Sequence, residues 1–319
     1  MKQDIDYLSV VVPVYNEADV LRHFFEILER ELNKLNLPKY EIVFVDDGST
    51  DNTPEELAKI AARNDKVKLI SLTRNFGKEP ALSAGLHVVE GDCALLIDAD
   101  GQHPPERIKD LLEAYKSGYE MVVGVRTVNA DERSLKKIGN KLYYQFLRLT
   151  GVSYLQPRVT DFRAISRDAV NTFCKLTERR RITRGLIDWM GYPTKYIEFE
   201  SPGRLAGNAS YSTRKLAILA VDSILSSSRK PLYVSIMLGM LITSLSLLAL
   251  AFTIVEKYLL GDTYNLHISG TAILSLFILF MVGLIFISQG ILALYIARTY
   301  EESQQRPLYV VRRRKPNKG

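Results

Sequence analysis

Short apolar runs alternate with amphipathic stretches along the first part of this 319-residue chain. The apolar runs favour β-strands because they are rich in branched and aromatic residues, and they read YLSVVVPV, EIVFVD, VKLISL, ALLID and EMVVGV. Helical patterns fill the intervals, at about residues 17–35, 52–64, 79–89 and 104–117. Continuously apolar strands separated by helices are typical of a mostly parallel sheet covered on both faces. The pattern therefore predicts a doubly wound α/β domain.

Polar side chains follow three of these strands at the point where each strand ends. Glu17 follows the first strand, Asp47 follows the second, and Asp98 and Asp100 follow the fourth. Ligands of doubly wound folds bind beyond the carboxyl ends of the strands. We therefore expect these acidic side chains to meet at one edge of the sheet and to form the functional site.

Two long stretches without a charged residue lie in the C-terminal third, at 231–255 and 268–297. Each exceeds the roughly 20 residues that cross about 30 Å of hydrocarbon as a helix. Their length and adjacency disfavour the alternative, which is a buried hairpin in a soluble core. We therefore predict two transmembrane helices.

Basic residues flank the two predicted spans on one side of the membrane. Arg229 and Lys230 precede the first span, Arg298 follows the second, and the 256–267 loop carries one lysine with two acids. Because positive residues remain in the cytosol, both termini are predicted to be cytosolic. The predicted organisation is a cytosolic domain at 1–210, a juxtamembrane amphipathic helix at 211–230, a two-helix transmembrane hairpin at 231–298 and a basic cytosolic tail at 299–319.

The net charge of +6 is concentrated in a few basic segments near the predicted spans. Residues 133–150 and 213–229 have a basic amphipathic pattern, which is typical of interfacial helices that meet lipid phosphates, although packing against the α/β domain is the alternative. Nucleic-acid binding is disfavoured because the basic segments flank the membrane. The two cysteines form neither a disulfide framework nor a zinc motif, which indicates a reducing compartment.

The Asp98–Asp100 pair indicates a metal site. Two carboxylates this close repel each other unless a cation lies between them. A hard divalent ion, Mg²⁺ or Mn²⁺, prefers oxygen ligands, and the Gln102 amide oxygen completes a candidate ligand set. A solvated turn is the alternative. The sequence lacks the glycine-rich motifs of dinucleotide oxidoreductases and P-loop enzymes, so a nucleotide would be held by its base and its metal-bound diphosphate.

Five motifs occur together in a familiar order: VVVPVYNE, FVDDGSTDNT, SLTRNFGKEPALSAGL, LLIDADGQHPPE and VTDFRAISR. Over about residues 7–300 the chain resembles the family 2 glycosyltransferases with a GT-A fold. With its two spans it most resembles the polyprenyl-phosphate glycosyltransferases, which include bacterial undecaprenyl-phosphate glucosyltransferases and dolichol-phosphate mannose synthases. The resemblance implies an inverting, metal-dependent hexose transfer from UDP-glucose to undecaprenyl phosphate, at the cytosolic face of the bacterial inner membrane.

The resemblance also implies roles for individual residues. The uridine nucleotide would be held by Pro13, Tyr15, Glu17, Val45 and Asp47, with Asp47 on the base edge. The metal and the diphosphate would be held by Asp98, Ala99, Asp100 and Gln102, and the phosphates would also meet Arg126 and Arg204. The catalytic residues would be Asp161 as the base, Asp100 as a metal ligand and Arg163 close to the acceptor phosphate.

The chemistry of the acceptor qualifies the role of Asp161. A lipid phosphate is largely dianionic at neutral pH because its second pKa lies near about 6. Such a nucleophile scarcely needs deprotonation. We therefore expect Asp161 to orient a sugar hydroxyl or Arg163.

The motif that begins at Arg204 departs from the family pattern R-x-x-G-x-S-K. It reads RLAGNAS, so Ala209 and Ser210 replace the usual serine and lysine. The departure leaves open another sugar, such as mannose or a modified pentose, and a non-catalytic nucleotide-sugar-binding scaffold or flippase component. A processive polysaccharide synthase is disfavoured because the chain lacks a Q-x-x-R-W motif and further spans. The sequence also leaves open a homo-oligomer.

Overall fold

The structure is a computed structural model that describes residues 4–127, 159–179, 181, 183–200, 241, 248 and 270–312. The chain divides into two compact units. The first comprises Met1–Tyr144, Ser153–Ser210 and Arg306–Gly319, and the second comprises Gln145–Val152 and Tyr211–Gln305. The α/β fold belongs to the first unit.

The described strands of the first unit form one seven-stranded sheet. The strands are β1 (Tyr7–Val14), β2 (Lys39–Asp46), β3 (Val67–Ser71), β4 (Cys93–Leu96), β5 (Met121–Arg126), β6 (Val159–Ser166) and β7 (Thr194–Phe199). Their order is β3-β2-β1-β4-β6-β5-β7. The pairs that include β6 are antiparallel and the other pairs are parallel, which confirms the predicted mostly parallel sheet.

Helices cover both faces of this sheet, as the apolar strands predict. They are α1 (Ala18–Lys34), α2 (Thr53–Arg63), α3 (Lys78–Leu86), α4 (Ile108–Lys116, after a 3₁₀ turn at Pro105–Arg107), α5 (Arg167–Lys175) and α6 (Thr183–Trp189). α1, α2 and α4 bury apolar side chains in one core, and α3, α5 and α6 bury theirs in a second core on the other face. The five strands and four helices predicted from periodicity are confirmed, with boundaries that differ by a few residues.

Strands β6 and β7 are the elements of the sheet that the periodicity did not predict, and β6 shows the reason most clearly. Its sequence, VTDFRAIS, places the charged residues Asp161 and Arg163 inside the strand, although every one of its residues is buried. A buried strand normally reads as a continuous apolar run. The two charges interrupt that run because they serve the site rather than the core.

Helix α7 (Gly270–Ser303) belongs to the second unit and includes most of the second predicted span. Within the described part of the chain, no helix meets the length and hydropathy required of a membrane span. Of the first predicted span only Leu241 and Leu248 are described. The patterns at 133–150 and 213–229, together with Arg204, lie outside the described residues.

The chain returns to the α/β unit after α7 and covers the edge of the sheet. Val311 forms an antiparallel bridge with Leu72, directly after β3. The Thr73 N–H donates to the Val310 carbonyl at 2.9 Å, and the Arg312 N–H donates to the Ser71 carbonyl at 2.7 Å. An uncovered edge strand is a template for unwanted pairing. Residues 310–312, within the predicted basic tail, therefore cover the end of β3.

We expect Gly85→Ala to destabilise the α/β unit. A Cβ at this position of α3 would lie 2.3 Å from Val11 Cγ1 and 3.2 Å from Val45 Cγ2, in the buried contact between the helix and the sheet. Overpacking of this kind costs about 1–3 kcal/mol. The measurement is the thermal unfolding midpoint of the detergent-purified chain. Gly290→Ala is the matched control, since nothing lies within 4 Å of its added Cβ, and equal midpoints for the two variants would contradict the close packing.

Candidate active site

The polar strand ends meet at one edge of the sheet, and the direction of β6 adds another acidic group to them. Arg163 of β6 lies opposite Leu96, the last residue of β4. Because β6 is antiparallel to β4, Asp161 lies beyond the end of β4, on the side where Asp98 follows. The inverted strand is thus the reason that Asp161 reaches the acidic edge.

Lys78, the first residue of α3, bridges two carboxylates of this edge. Its Nζ lies 2.7 Å from the Asp98 carboxylate and 2.6 Å from Asp161 Oδ2. Desolvation opposes the charged ammonium, but Asp98 and Asp161 raise the pKa of Lys78 above its ordinary value. Lys78 is therefore a permanent cation between the predicted metal ligand and the predicted catalytic residue.

Asp161 is a buried carboxylate surrounded by cations. Arg184 of α6 donates to it from both Nε, at 2.8 Å, and Nη2, at 3.3 Å. Although burial opposes ionisation, Lys78, Arg184 and Arg163 hold the pKa of Asp161 well below its usual range. The side chain is only 5% exposed, so Asp161 remains a charged, fixed anchor.

Arg163 is turned into the protein interior. It is completely buried, its Nη2 donates to the Thr160 carbonyl at 2.9 Å, and its Nη1 lies 3.5 Å from Asp188 Oδ1. This buried position does not favour the predicted contact with an acceptor phosphate. The structure instead places Arg163 beneath Asp161, where its charge supports the ionised carboxylate.

Glu17 adds a further carboxyl group to the edge. Its Oε2 is buried and has no hydrogen-bond partner within the described residues. Burial, followed by the charges of Asp100 and Asp98, raises the pKa of Glu17 to about 8. A buried, unsatisfied carboxylate oxygen beside two other carboxylates indicates a place where a cation or a ligand donor is accommodated.

Asp47 fixes the loop that follows β3. Both of its carboxylate oxygens accept backbone N–H groups at 2.8 Å, one from Phe76 and the other from Gly77. The next residue, Gly48, has φ +68°, and a Cβ there would lie 2.3 Å from the Arg74 carbonyl carbon. This approach of backbone to backbone requires glycine. The contacts of Asp47 are therefore to the loop, whereas the predicted contact is to the base.

The other predicted nucleotide residues line the ends of β1 and β2. Pro13 and Val45 lie opposite each other in the β1–β2 pair and are buried. Tyr15 follows β1 and is exposed. A nucleotide at this edge would therefore meet the Tyr15 ring and the backbone of the buried pair.

The turn after β4 links the predicted metal ligands to Arg126 at the end of β5. The Gln102 N–H donates to Asp100 Oδ1 at 2.9 Å, and the Gln102 amide oxygen accepts from Arg126 Nη2 at 2.6 Å. Arg126 Nε is buried without a partner among the described residues. Buried His103 accepts the Asp98 N–H at 3.1 Å and stacks on Phe162. Ala99 is buried between the two aspartates.

The residues present fit a hard divalent ion. Asp98 and Asp100 offer carboxylate oxygens, and Glu17 Oε2 beside them lacks a partner. Across the described residues, no group of three or more His, Cys, Asp or Glu side chains is arranged to hold a metal. In this structure the Lys78 ammonium balances the charge of Asp98. An all-oxygen set is the chemistry that Mg²⁺ and Mn²⁺ prefer.

Sequence reasoning missed Lys78 and Arg184 as site residues. Lys78 lies in the first turn of α3, where a cation is unfavourable next to the positive end of the helix dipole. That placement is a usable signal, because a residue kept in an unfavourable position has another role. Arg184 carried no such signal, since α6 follows a segment of many arginines.

Comparisons with known proteins place the chain in a family. The model of glycosyl transferase family 2 matches residues 9–173. An uncharacterised glycosyltransferase of Synechocystis sp. is 39% identical over 95% of this chain and 94% of that protein. A bactoprenol glucosyl transferase of Shigella phage SfV is 35% identical over 97% of this chain and 99% of that protein.

Two solved structures share the fold at lower sequence identity. Mannosyl-3-phosphoglycerate synthase from Rubrobacter xylanophilus is 20% identical, with a TM-score of 0.51 over 70% of this chain and 74% of that chain. Glucosyl-3-phosphoglycerate synthase from Mycobacterium tuberculosis, in complex with Mn²⁺, UDP and phosphoglyceric acid, is 20% identical, with a TM-score of 0.50 over 69% of this chain and 76% of that chain. The α/β unit thus has the GT-A type of fold.

The family match includes Glu17, Asp47 and Asp98, which follow β1, β2 and β4, and Asp161 within β6. The phage relative matches almost from end to end. The non-catalytic scaffold left open by the Ala209 and Ser210 replacements is therefore not retained. The chain belongs to glycosyl transferase family 2 and is a glycosyltransferase.

Proposed function

We propose that this enzyme transfers glucose, with inversion, from UDP-glucose to undecaprenyl phosphate at the cytosolic face of the bacterial inner membrane. The observation that carries the proposal is the acidic edge where Lys78 bridges Asp98 and Asp161. Relatives named bactoprenol glucosyl transferase support the sugar and the acceptor. A phosphate oxygen of the lipid forms a bond to the anomeric carbon, while the bond from that carbon to UDP breaks and its electron pair leaves on UDP.

Asp98 and Asp100 would hold Mg²⁺ or Mn²⁺, with the Gln102 amide oxygen as a third ligand. A fold neighbour solved with Mn²⁺ and UDP supports this assignment. The bound ion would neutralise charge on the departing diphosphate. The unpartnered Arg126 Nε is a further donor available for a phosphate oxygen.

Asp161 is better suited to orientation than to proton transfer. A general base works best when its pKa lies near the working pH. The pKa of Asp161 is held well below the usual range of an aspartate by Lys78, Arg184 and Arg163. An acceptor phosphate that is already ionised needs no general base. We therefore assign to Asp161 the role of fixing the cations that surround the reacting groups.

A membrane anchor at 231–255 and 268–297 would keep the α/β unit next to its lipid substrate. Helix α7 exposes large apolar side chains along its length, including Leu274, Ile285 and Ile296, which is unfavourable in water and favourable in lipid. Confinement to the bilayer raises the effective concentration of the acceptor.

The returning C-terminal segment supports the proposed topology. Residues 306–312 belong to the same compact unit as the N-terminal strands, and Val311 bridges to Leu72. The chain between them must therefore cross a membrane an even number of times. Two spans with both ends in the cytosol satisfy this requirement.

We expect Asp100→Asn to lower sugar transfer by at least about a hundredfold, because a divalent ion supplies several kcal/mol of charge stabilisation. The assay measures label from UDP-[¹⁴C]glucose in the lipid phase, with undecaprenyl phosphate and Mn²⁺ present. Asp65→Asn is the control, since Asp65 is an exposed residue between α2 and β3. Metal-independent transfer at the wild-type rate by Asp100→Asn would refute the metal assignment.

We expect Mn²⁺ affinity to rise with pH between 6 and 8. The pKa of Glu17 is raised to about 8, so the group is mainly protonated at pH 6, and a cation that binds beside it must displace the proton. Displacement of one proton gives about a tenfold gain per pH unit below that pKa. Mn²⁺ titration followed by electron paramagnetic resonance measures the affinity. Glu17→Gln should remove most of the dependence, whereas Glu90→Gln, an exposed control, should retain it.

We expect residues on both sides of the proposed hairpin to label as cytosolic. In a variant without native cysteines, Asp65→Cys and Glu302→Cys should react with a membrane-impermeant maleimide only after cell lysis. Asp262→Cys, between the proposed spans, should react in intact cells. Labelling of Glu302→Cys in intact cells would exclude the two-span topology.

A further inference from the structure

Among the described residues, the cations that reach solvent beside Asp161 belong to Lys78 and Arg184. The side chain of Lys78 is 41% exposed and that of Arg184 is 43% exposed. Arg163, which also lies close to Asp161, is completely buried. Within this part of the chain, a phosphate group that approaches Asp161 from outside the protein therefore meets Lys78 and Arg184 first.

The two cations are held as a pair by their sequence neighbours. Glu79, next to Lys78, accepts the backbone N–H of Thr183 at 2.8 Å, and Thr183 directly precedes Arg184. This hydrogen bond joins the first turn of α3 to the first turn of α6. Asp161 holds both cationic groups from below, so their spacing is fixed before any ligand binds.

Once the metal site is filled, this pair has an excess of positive charge that favours an anionic ligand. Lys78 and Arg184 carry two positive charges, which Asp98 and Asp161 balance in the present arrangement. A divalent ion on Asp98 and Asp100 would neutralise the charge of Asp98. The Lys78 ammonium would then be able to donate a hydrogen bond to another acceptor. The pair then faces outward with excess positive charge, and Lys78 lies next to the carboxylate that would anchor the donor diphosphate.

We propose that Lys78 and Arg184 bind the phosphate of the polyprenyl acceptor and place it beside the donor. The inference rests on the proposed function and assigns its acceptor site to two residues that sequence reasoning did not select. Charge-assisted bonds from ammonium and guanidinium groups are the usual means of holding a phosphate. Asp161 acts here as a positioning residue, because it orients both cations without touching the reacting atoms.

The test compares binding of farnesyl phosphate and of farnesol to the detergent-purified full chain with Mn²⁺ and UDP, by isothermal titration. Wild type should prefer the phosphate strongly. Arg184→Gln should weaken farnesyl phosphate binding at least tenfold, leave farnesol binding unchanged and alter UDP affinity less than twofold. Arg184→Lys, which keeps the charge, should recover part of the loss. Lys78→Gln should show the same selective loss of the phosphate ligand.

Arg107→Gln is the matched control, since Arg107 pairs with Asp110 on the surface, and it should behave as wild type. Unchanged farnesyl phosphate affinity in Arg184→Gln, or an equal loss of UDP affinity, would overturn the proposed pair. Wild-type protein that binds the phosphate no better than the alcohol would instead overturn the proposed function. If Arg184→Gln does not fold, Arg184→Lys decides, because its guanidinium-to-ammonium change should still raise the KM for the lipid phosphate and spare the KM for UDP-glucose.

Discussion

The arrangement of this enzyme depends on the compensation of negative charge at one edge of a sheet. Carboxylates that are brought together in a partly buried place must be paired, protonated or bound to a cation. The protein uses Lys78 and Arg184 for Asp161, Lys78 again for Asp98, and a raised pKa for Glu17. The negative charge that these pairings leave unbalanced would provide the affinity for a divalent ion. The same constraint therefore explains the position of the lysine, the state of the acids and the proposed metal.

Much of the fold follows from the sequence because its core strands obey a simple rule. β1, β2 and β4 are mainly apolar and almost entirely buried, since helices cover both of their faces, and the polar residues after them predicted the acidic edge. β6 was not predicted, because Asp161 and Arg163 interrupt its apolar pattern. The pairing of residues 310–312 with the end of β3 was not predicted either, because a short edge segment stabilised by backbone hydrogen bonds leaves little trace in the side-chain pattern.

The site was predicted in outline, and its details required the structure. The structure brings Asp98, Asp100 and Asp161 to one edge of the sheet, where strand ends and motifs place them. The contacts predicted for Arg163 and Asp47 stay predictions, and the burial of Arg163 and the loop contacts of Asp47 depend on tertiary packing. Lys78 and Arg184 come from two helices that are distant in sequence, and tertiary contacts bring them together through their shared partner Asp161 and the Glu79–Thr183 hydrogen bond.

The metal site is tested by a structure of the full chain with Mn²⁺ and UDP, solved with anomalous data at the manganese edge. We expect one anomalous peak at about 2 Å from carboxylate oxygens of both Asp98 and Asp100, in contact with the diphosphate, with the Lys78 ammonium withdrawn from Asp98 and still paired with Asp161. A diphosphate bound without manganese at these aspartates, with the Lys78–Asp98 pair intact, would contradict the proposed metal site and the role of Lys78.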